Sequence, residues 1–382
     1  MKARFLARVG GILALIFLVT GCFDGYQMNQ LAIINALAID YHRGEYMATA
    51  EAFNTTAVPS PGHPTGTSVG GGNPSAGVLL TGAGKTVGEA MANLSGSSSR
   101  HVFWAATTVV IIGSEALKKG LTPIAGSFLR FPEFRTTARV FVAKSEAAPL
   151  LSGKTSGMEI SIGQEIRNQD RFLRMDISRG WAPRAYDVLR WDTQHGRSAV
   201  LLGIQKTSSN PTQASQFSMG ESAVIGPNGR LQGWLPGKAT TPYLWLVHRS
   251  AQAFSSLKSP SGVPTTIYWT HVTSRVSVRV RKGQVAGVDI MLTGAGKVAG
   301  TLPNRLRVIN QLANKKAVAE TLATVHWAEQ HDADIFGWGQ AVYRKNPRLW
   351  YGLHGSWPGL FKTLPVSVHS KIVIVQGGAG RV

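Results

Sequence analysis

Cysteine occurs once in these 382 residues, at Cys22. The chain therefore cannot cross-link itself, and its fold must be held by a packed apolar core. That cysteine closes the opening stretch MKARFLARVGGILALIFLVTGC, in which Lys2, Arg4 and Arg8 precede an apolar run from Val9 to Val19. Basic residues, a short apolar run and then small residues are the layout of an export signal. As a helix the run rises only about 16 Å, too little for a bilayer core of about 30 Å. Residues 1–21 are therefore read as a signal peptide that is removed. No later stretch approaches the roughly 18 consecutive apolar residues of a membrane span, so none is expected after the signal.

The run ends Val19-Thr20-Gly21-Cys22, which resembles the lipobox of bacterial lipoproteins: small residues, a cleavage point, then a cysteine whose thiol receives a diacylglyceryl group. Cys22 is thus the expected lipidation site. At about 0.8 kcal/mol per buried methylene, two acyl chains hold a protein stably to a membrane. The remaining chain, about 360 residues, is long enough for two or three domains. Its net charge is +20, and still +17 once the three signal cations are subtracted. Such a balance fits an anionic partner, for a lipid-anchored protein most nearly the membrane surface, and equally a shortage of acids set by an acidic habitat. Nucleic acid is not expected, because no dense Lys/Arg run is interleaved with aromatics.

The stretch GVLLTGAGKTVGEA (77–90) places Gly-Lys-Thr between an apolar run and a helix-like segment, as a nucleotide-binding loop would. A G-x-x-x-x-G-K-[ST] loop ending in Gly84-Lys85-Thr86 needs its first glycine at position 79, which is Leu79; Gly77 lies two residues too far away. Backbone wrapping of phosphates depends on that length. The expected structure is a strand, a glycine turn and a helix starting near Thr86. Gly66-Thr67-Ser68-Val69-Gly70 fits G-x-S-x-G, but a nucleophile elbow needs a strand before it and a helix after it, and neither flank qualifies. It lies in a Gly/Pro/Ser/Thr-rich segment, 55–77, that reads as a flexible loop.

Strands are expected at 31–40 and 46–54, joined as a hairpin by YHRGE. VFWAATTVVIIG (102–113) reads as one buried strand, Ser114 to about Arg130 as helical, and 136–144 as another buried strand, together a mixed α/β layer. From 145 to about 215 the signal weakens, and Thr207 to Ser218 reads as a domain boundary. Beyond it, Pro227-Asn228-Gly229 marks a hairpin within 221–235 and 240–248 a short helix. Strands at 264–270, 272–281 and 285–292 precede a long helix from roughly Leu302 to His331, with Val308, Leu312, Ala319 and Leu322 on one face. A strand at 364–376 closes the chain. The reading is an α+β fold: a mixed α/β N-terminal region over 22–205 and, over 216–382, an antiparallel sheet packed with a long helix.

HWAEQHDAD (326–334) gathers His326, Glu329, His331, Asp332 and Asp334. Zinc ligands on a helix sit at i and i+4, but these histidines are five apart, roughly 140° around the helix, so a solvated helix end is expected. Trp338, Trp350 and Trp357 could form a ligand cage, although core roles are commoner for such aromatics. No catalytic, cofactor-binding or metal residue is assigned.

Taken in order, these pieces resemble the Ger(x)C family, the lipoprotein C subunits of spore germinant receptors. The carriers are the lipobox followed by QMNQLAIINALAID, with Phe23 in place of the usual tryptophan, then residues 84–144, and then DADIFGWGQAVYRKNPRLW (332–350). The resemblance implies three α+β domains without catalytic residues or cofactor. It implies partners, a transporter-like B subunit and an A subunit with a soluble domain, and attachment at the outer face of the spore inner membrane. The role implied is receptor assembly or signal relay. Two other readings compete: a transporter's substrate-binding lipoprotein, which would have two similar lobes, and a secreted cell-wall hydrolase, for which no convergent carboxylate or Ser/His set is found. Replacing Cys22 with alanine is expected to abolish lipid labelling and release the protein from membranes; labelling that persists in Cys22→Ala would refute the lipobox assignment.

Overall fold

The computed structural model describes residues 26–376, apart from 54–76, 208–216, 300–305 and the positions 154, 157, 193, 195, 250–251, 259–261 and 263. Cys22, the Gly66–Gly70 motif and nearly all of the 55–77 segment lie outside the described residues. Those described form two sheets, one of nine strands and one of four.

The first sheet grows from β1 (Leu31–His42), whose residues from Ile34 to Asp40 are buried. It turns back into β2 (Glu45–Ala52) through Arg43 and Gly44, both with positive φ (49° and 92°), a two-residue turn matched to strand twist. This is the predicted hairpin. β3 (Val78–Gly84) adds to β2, and α1 (Val87–Gly96) folds back over it, its first turn capped by the Thr86 hydroxyl, which accepts from Glu89 N–H at 3.1 Å. On the other side of β1 lie β5 (Val109–Ile112), β6 (Arg139–Ala143) and β7 (Ala199–Lys206), all parallel. The single strand expected over 102–113 is interrupted. β4 (His101–Phe103) pairs with β1 at Leu31–Ile33, a 3-10 turn at Trp104–Ala106 follows, and β5 pairs further on at Ala36–Ile39. The excursion buries Trp104 edge-on against Phe131 and matches an irregularity in β1 between Ile34 and Ala36.

The helical stretch after Ser114 is two helices, α2 (Ser114–Lys118) and α3 (Leu121–Arg130), separated at Gly120, whose φ is 108°. Over 145–206, where the sequence signal was weak, lie α4 (Ala148–Leu151), α5 (Ile162–Asp176), α6 (Ala185–Asp192) and β7. β8 (Phe217–Ile225) and β9 (Leu231–Leu235) form the predicted hairpin, and β8 pairs antiparallel with β7. The first sheet thus takes strands from both sides of residues 207–216. One of its faces packs α4 and α5, with Ala36, Ala38, Val109, Ile111 and Phe141 turned to them; the other packs α1 to α3 and merges with the core of the second half.

The second sheet runs β10 (Ala253–Lys258), β11 (Pro264–Arg281), β12 (Gln284–Ala299), β13 (Val366–Gln376). The two strands expected over 264–281 are one, with its register shifted between Trp269 and His271. The last strand joins parallel to β12, so the sheet is mixed where an antiparallel one was expected. Between the sheets lie α7 (Gly237–Leu246) and α8 (Leu306–Gln330), which at 25 residues is about 38 Å long. The buried stripe of α8 differs from the predicted one. Ile309, Ala313, Ala317, Thr321, Val325 and Ala328 face inward, whereas Ala319 and Leu322 are exposed and Val308 and Leu312 half-buried. Small residues at four-residue spacing let the helix lie close to β13 and α7, so the inward face is set by size rather than by the bulkiest apolar residues. The architecture is α+β.

Gly82 and Gly84 explain the glycines of the loop-like motif. A Cβ at Gly82 would collide with the backbone of Ala90 and Leu94, and one at Gly84 would sit 2.7 Å from Ala90 N. They allow α1 to touch β3. Lys85 is exposed and paired with Glu45 at 3.1 Å. Gly82→Val is expected to lower stability by about 1–3 kcal/mol through overpacking and Lys85→Ala to change it by less than about 0.5 kcal/mol, both read from denaturant midpoints of the mature chain.

Candidate functional site

The motif DADIFGWG folds around one carboxylate. α8 ends in a turn with Asp332 in a left-handed conformation (φ 51°), and the following residues, Ala333, Asp334 and Ile335, are buried. Asp334 Oδ1 accepts the N–H groups of Gly337 at 2.8 Å and Trp338 at 3.0 Å. Oδ2 accepts Gly339 N–H at 2.7 Å and the indole N–H of Trp357 at 3.2 Å. The carboxylate therefore caps α9 (Trp338–Lys345), where unpaired N–H groups and the helix dipole favour negative charge, and ties it to α11 (Trp357–Thr363). The Asp334 carbonyl accepts Ser198 N–H at 2.9 Å, which joins the node to the residue before β7.

The two glycines of the motif have separate reasons. Gly337 has φ 78°, a left-handed conformation that glycine adopts at no steric cost. A Cβ on Gly339 would lie 2.8 Å from the Trp350 ring and 2.9 Å from Trp357 Nε1. Trp350, at the end of the Pro-x-x-Trp segment in α10 (Pro347–Leu353), meets Trp357 edge-on with ring centroids 5.4 Å apart, and Trp338 packs 5.4 Å from Phe361. All three tryptophans are at most 2% exposed, so they are core and not a cage. Burial pushes the Asp334 carboxyl up, while its three backbone donors and the charge of Arg197 pull it down.

The other members of HWAEQHDAD diverge. His326 is exposed beside Glu329 and Gln330; His331 stacks on Trp327 and bonds its carbonyl; Asp332 pairs with Lys362 at 3.6 Å. Among the described residues no group of three or more His, Cys, Asp or Glu is arranged to hold a metal.

Two more buried carboxylates, Asp40 and Glu51, cap helices as Asp334 does, and Asp170 holds a single loop amide; sequence reasoning missed all three. Asp40, at the end of β1, accepts Ala147 and Ala148 N–H at 2.8 Å each, capping α4, and Gly113 leaves room for it. Glu51, in β2, accepts Ile162 N–H at 2.7 Å and Gly163 N–H at 2.8 Å, capping α5. Asp170 accepts Ala182 N–H at 3.0 Å and lies 3.9 Å from both Arg139 and Arg167. Burial raises the pKa of each, against those donors. An acid ending an apolar strand, as in LAID (37–40), is the available signal for Asp40.

Two family models match this chain, one described as spore germination protein N-terminal domain over residues 24–172 and one as spore germination B3/GerAC like, C-terminal, over 220–378. The chain belongs to the Ger(x)C family. It is 26% identical to spore germination protein KC of Bacillus subtilis (strain 168), in an alignment covering 95% of this chain and 93% of that protein. It is 22% identical to putative spore germination protein YfkR of the same organism, over 96% and 95% of the two chains. The crystal structure of the GerBC protein shares the fold of this Ger(x)C chain, with a TM-score of 0.57 at 14% identity over 89% of this chain and 96% of the other. Asp334, Gly337 and Gly339 lie within the C-terminal match, Asp40 and Glu51 within the N-terminal one.

Asp334→Asn would turn an amide N–H₂ toward two N–H donors and leave them unpaired. It is expected to lower stability by roughly 2–4 kcal/mol, measured as a shift of the denaturant midpoint at unchanged slope.

Proposed function

We propose that this chain is the lipid-anchored, non-catalytic C subunit of a spore germinant receptor, attached through Cys22 at the outer face of the spore inner membrane. The observation that carries the reading is the family match running through both halves, 24–172 and 220–378. Its partners would be the transporter-like B subunit and the A subunit, and its role receptor assembly or signal relay. A non-catalytic role is supported by the use of the buried carboxyls of Asp40, Glu51 and Asp334, each of which accepts backbone N–H groups on both oxygens rather than facing a cleft. Among the described residues no helix is long and apolar enough to cross a membrane, which makes the anchor at Cys22 the feature that would hold the chain there. The transporter-lipoprotein reading needs two similar lobes. Here one sheet takes strands from both halves, and the second has a different strand order.

Purification of the tagged, full-length chain from spore membranes is expected to bring down an A and a B subunit together; a permease with an ATPase in their place would refute the proposal. Gly337→Val separates a folding role of the motif from a contact role. Its left-handed φ and a Cβ 3.1 Å from Arg197 Cδ predict a loss of about 1–3 kcal/mol, seen as a lower melting temperature and lower abundance. Unchanged melting with lost co-purification would instead put the motif at a subunit contact. The mature chain is the right material, because a 216–382 fragment would take β8 and β9 away from β7.

A further inference from the structure

The second sheet has one face packed and one open. Ile290, Leu292, Ile372 and Ile374 are buried on the side where α8 lies along β13, while alternate residues point the other way. Strand register fixes how that open face is laid out. Arg275, Met291 and His369 form one cross-strand row, Thr273, Thr293 and Lys371 the next, and Tyr268, Lys297 and Val375 a row near the far end. Arg275, Lys297, His369 and Lys371 are exposed. The four strands together carry six Lys and Arg residues and a single acid, Asp289, which is paired with Arg279 at 3.2 Å. Between the cations stand Phe254, Met291, Val373 and Val375, each more than 40% exposed.

We propose that this open face of the second sheet, centred on Arg275, Lys297 and Lys371, rests on an anionic lipid surface. The inference rests on the membrane-anchored reading above and adds the side of the protein that meets the bilayer. Six residues separate Met291, opposite Arg275, from Lys297, which is about 20 Å along the strand. Cations spread so widely over a sheet cannot converge on one small anion, but they match a plane of headgroups. The apolar side chains among them can enter the interface between headgroups and acyl chains. Nucleic acid would call for aromatics interleaved with the cations along the face, whereas its aromatics, Phe254 and Tyr268, pack on each other in the Lys297 row, away from Arg275 and Lys371.

The test is co-sedimentation of the mature chain carrying Cys22→Ala, which has no acyl anchor, with vesicles of phosphatidylglycerol or of phosphatidylcholine. Binding to the anionic vesicles is expected, weakening as salt rises above about 0.1 M, with little binding to the neutral ones. Arg275→Glu, Lys297→Glu and Lys371→Glu together should weaken partitioning by about tenfold or more. Arg135→Glu, Arg230→Glu and Arg348→Glu, with the same total charge change on exposed residues elsewhere, should weaken it by less than about threefold. Melting temperatures close to that of the parent chain would show that both triple variants fold. No binding, equal binding to both vesicles, equal losses in the two variants, or tighter binding of single-stranded DNA to the same face would each overturn the proposal. None of these outcomes touches the lipid anchor, which Cys22 labelling tests separately.

Discussion

Asp334 holds four N–H groups at 2.7–3.2 Å, and residues 337–363 are arranged around it. A carboxylate at 2% exposure costs several kcal/mol to desolvate unless its lone pairs are filled. Filling them dictates local geometry: a left-handed Gly337 to turn the backbone, no side chain at Gly339 to let two tryptophans approach, and Trp357 angled so that its indole N–H reaches Oδ2. Three short helices, α9 to α11, are positioned by this requirement. None is long enough to be stable without its contacts.

The same device holds the first sheet. Asp40 and Glu51 project from β1 and β2 and cap α4 and α5, so two helices are pinned to one face of the sheet by charge rather than by apolar contact alone. With 20 acidic residues against 40 basic, each carboxylate withdrawn into the core also sharpens the excess of cations outside. The composition and the packing are therefore linked. Asp40, Glu51 and Asp334 are used for internal capping, which removes three acids from a surface already rich in basic residues.

Elements governed by local chemistry were legible in the sequence. The β1–β2 and β8–β9 hairpins follow from their turn residues, α1 from the Thr86 cap, β6 from its β-branched run and α8 from its length. Features set by tertiary packing were not. Trp104 breaks an apolar run that reads as one strand because its ring has a place against Phe131. The register shift between Trp269 and His271 leaves no mark that separates one kinked strand from two. Pairing of β7 with β8 bridges residues 207–216, whose composition resembles a boundary. The buried stripe of α8 is hidden in the sequence because alanines carry little weight in an apolar pattern, yet they decide how closely a helix can pack. By its neighbouring acids and histidines Asp334 reads as part of a solvated helix end, but it is buried; the glycines three and five residues on, which bring N–H groups to it, are the better guide.

Native-state hydrogen exchange at the Gly337, Trp338 and Gly339 amides of the mature chain measures most directly whether this carboxylate is a keystone. If it is, the three amides should exchange only through global unfolding, with the same opening free energy as central amides of β12 such as Ile290 and Leu292. Exchange through a local opening of much lower free energy, with β12 still protected, would contradict the account and make the motif a mobile attachment on a core that stands without it.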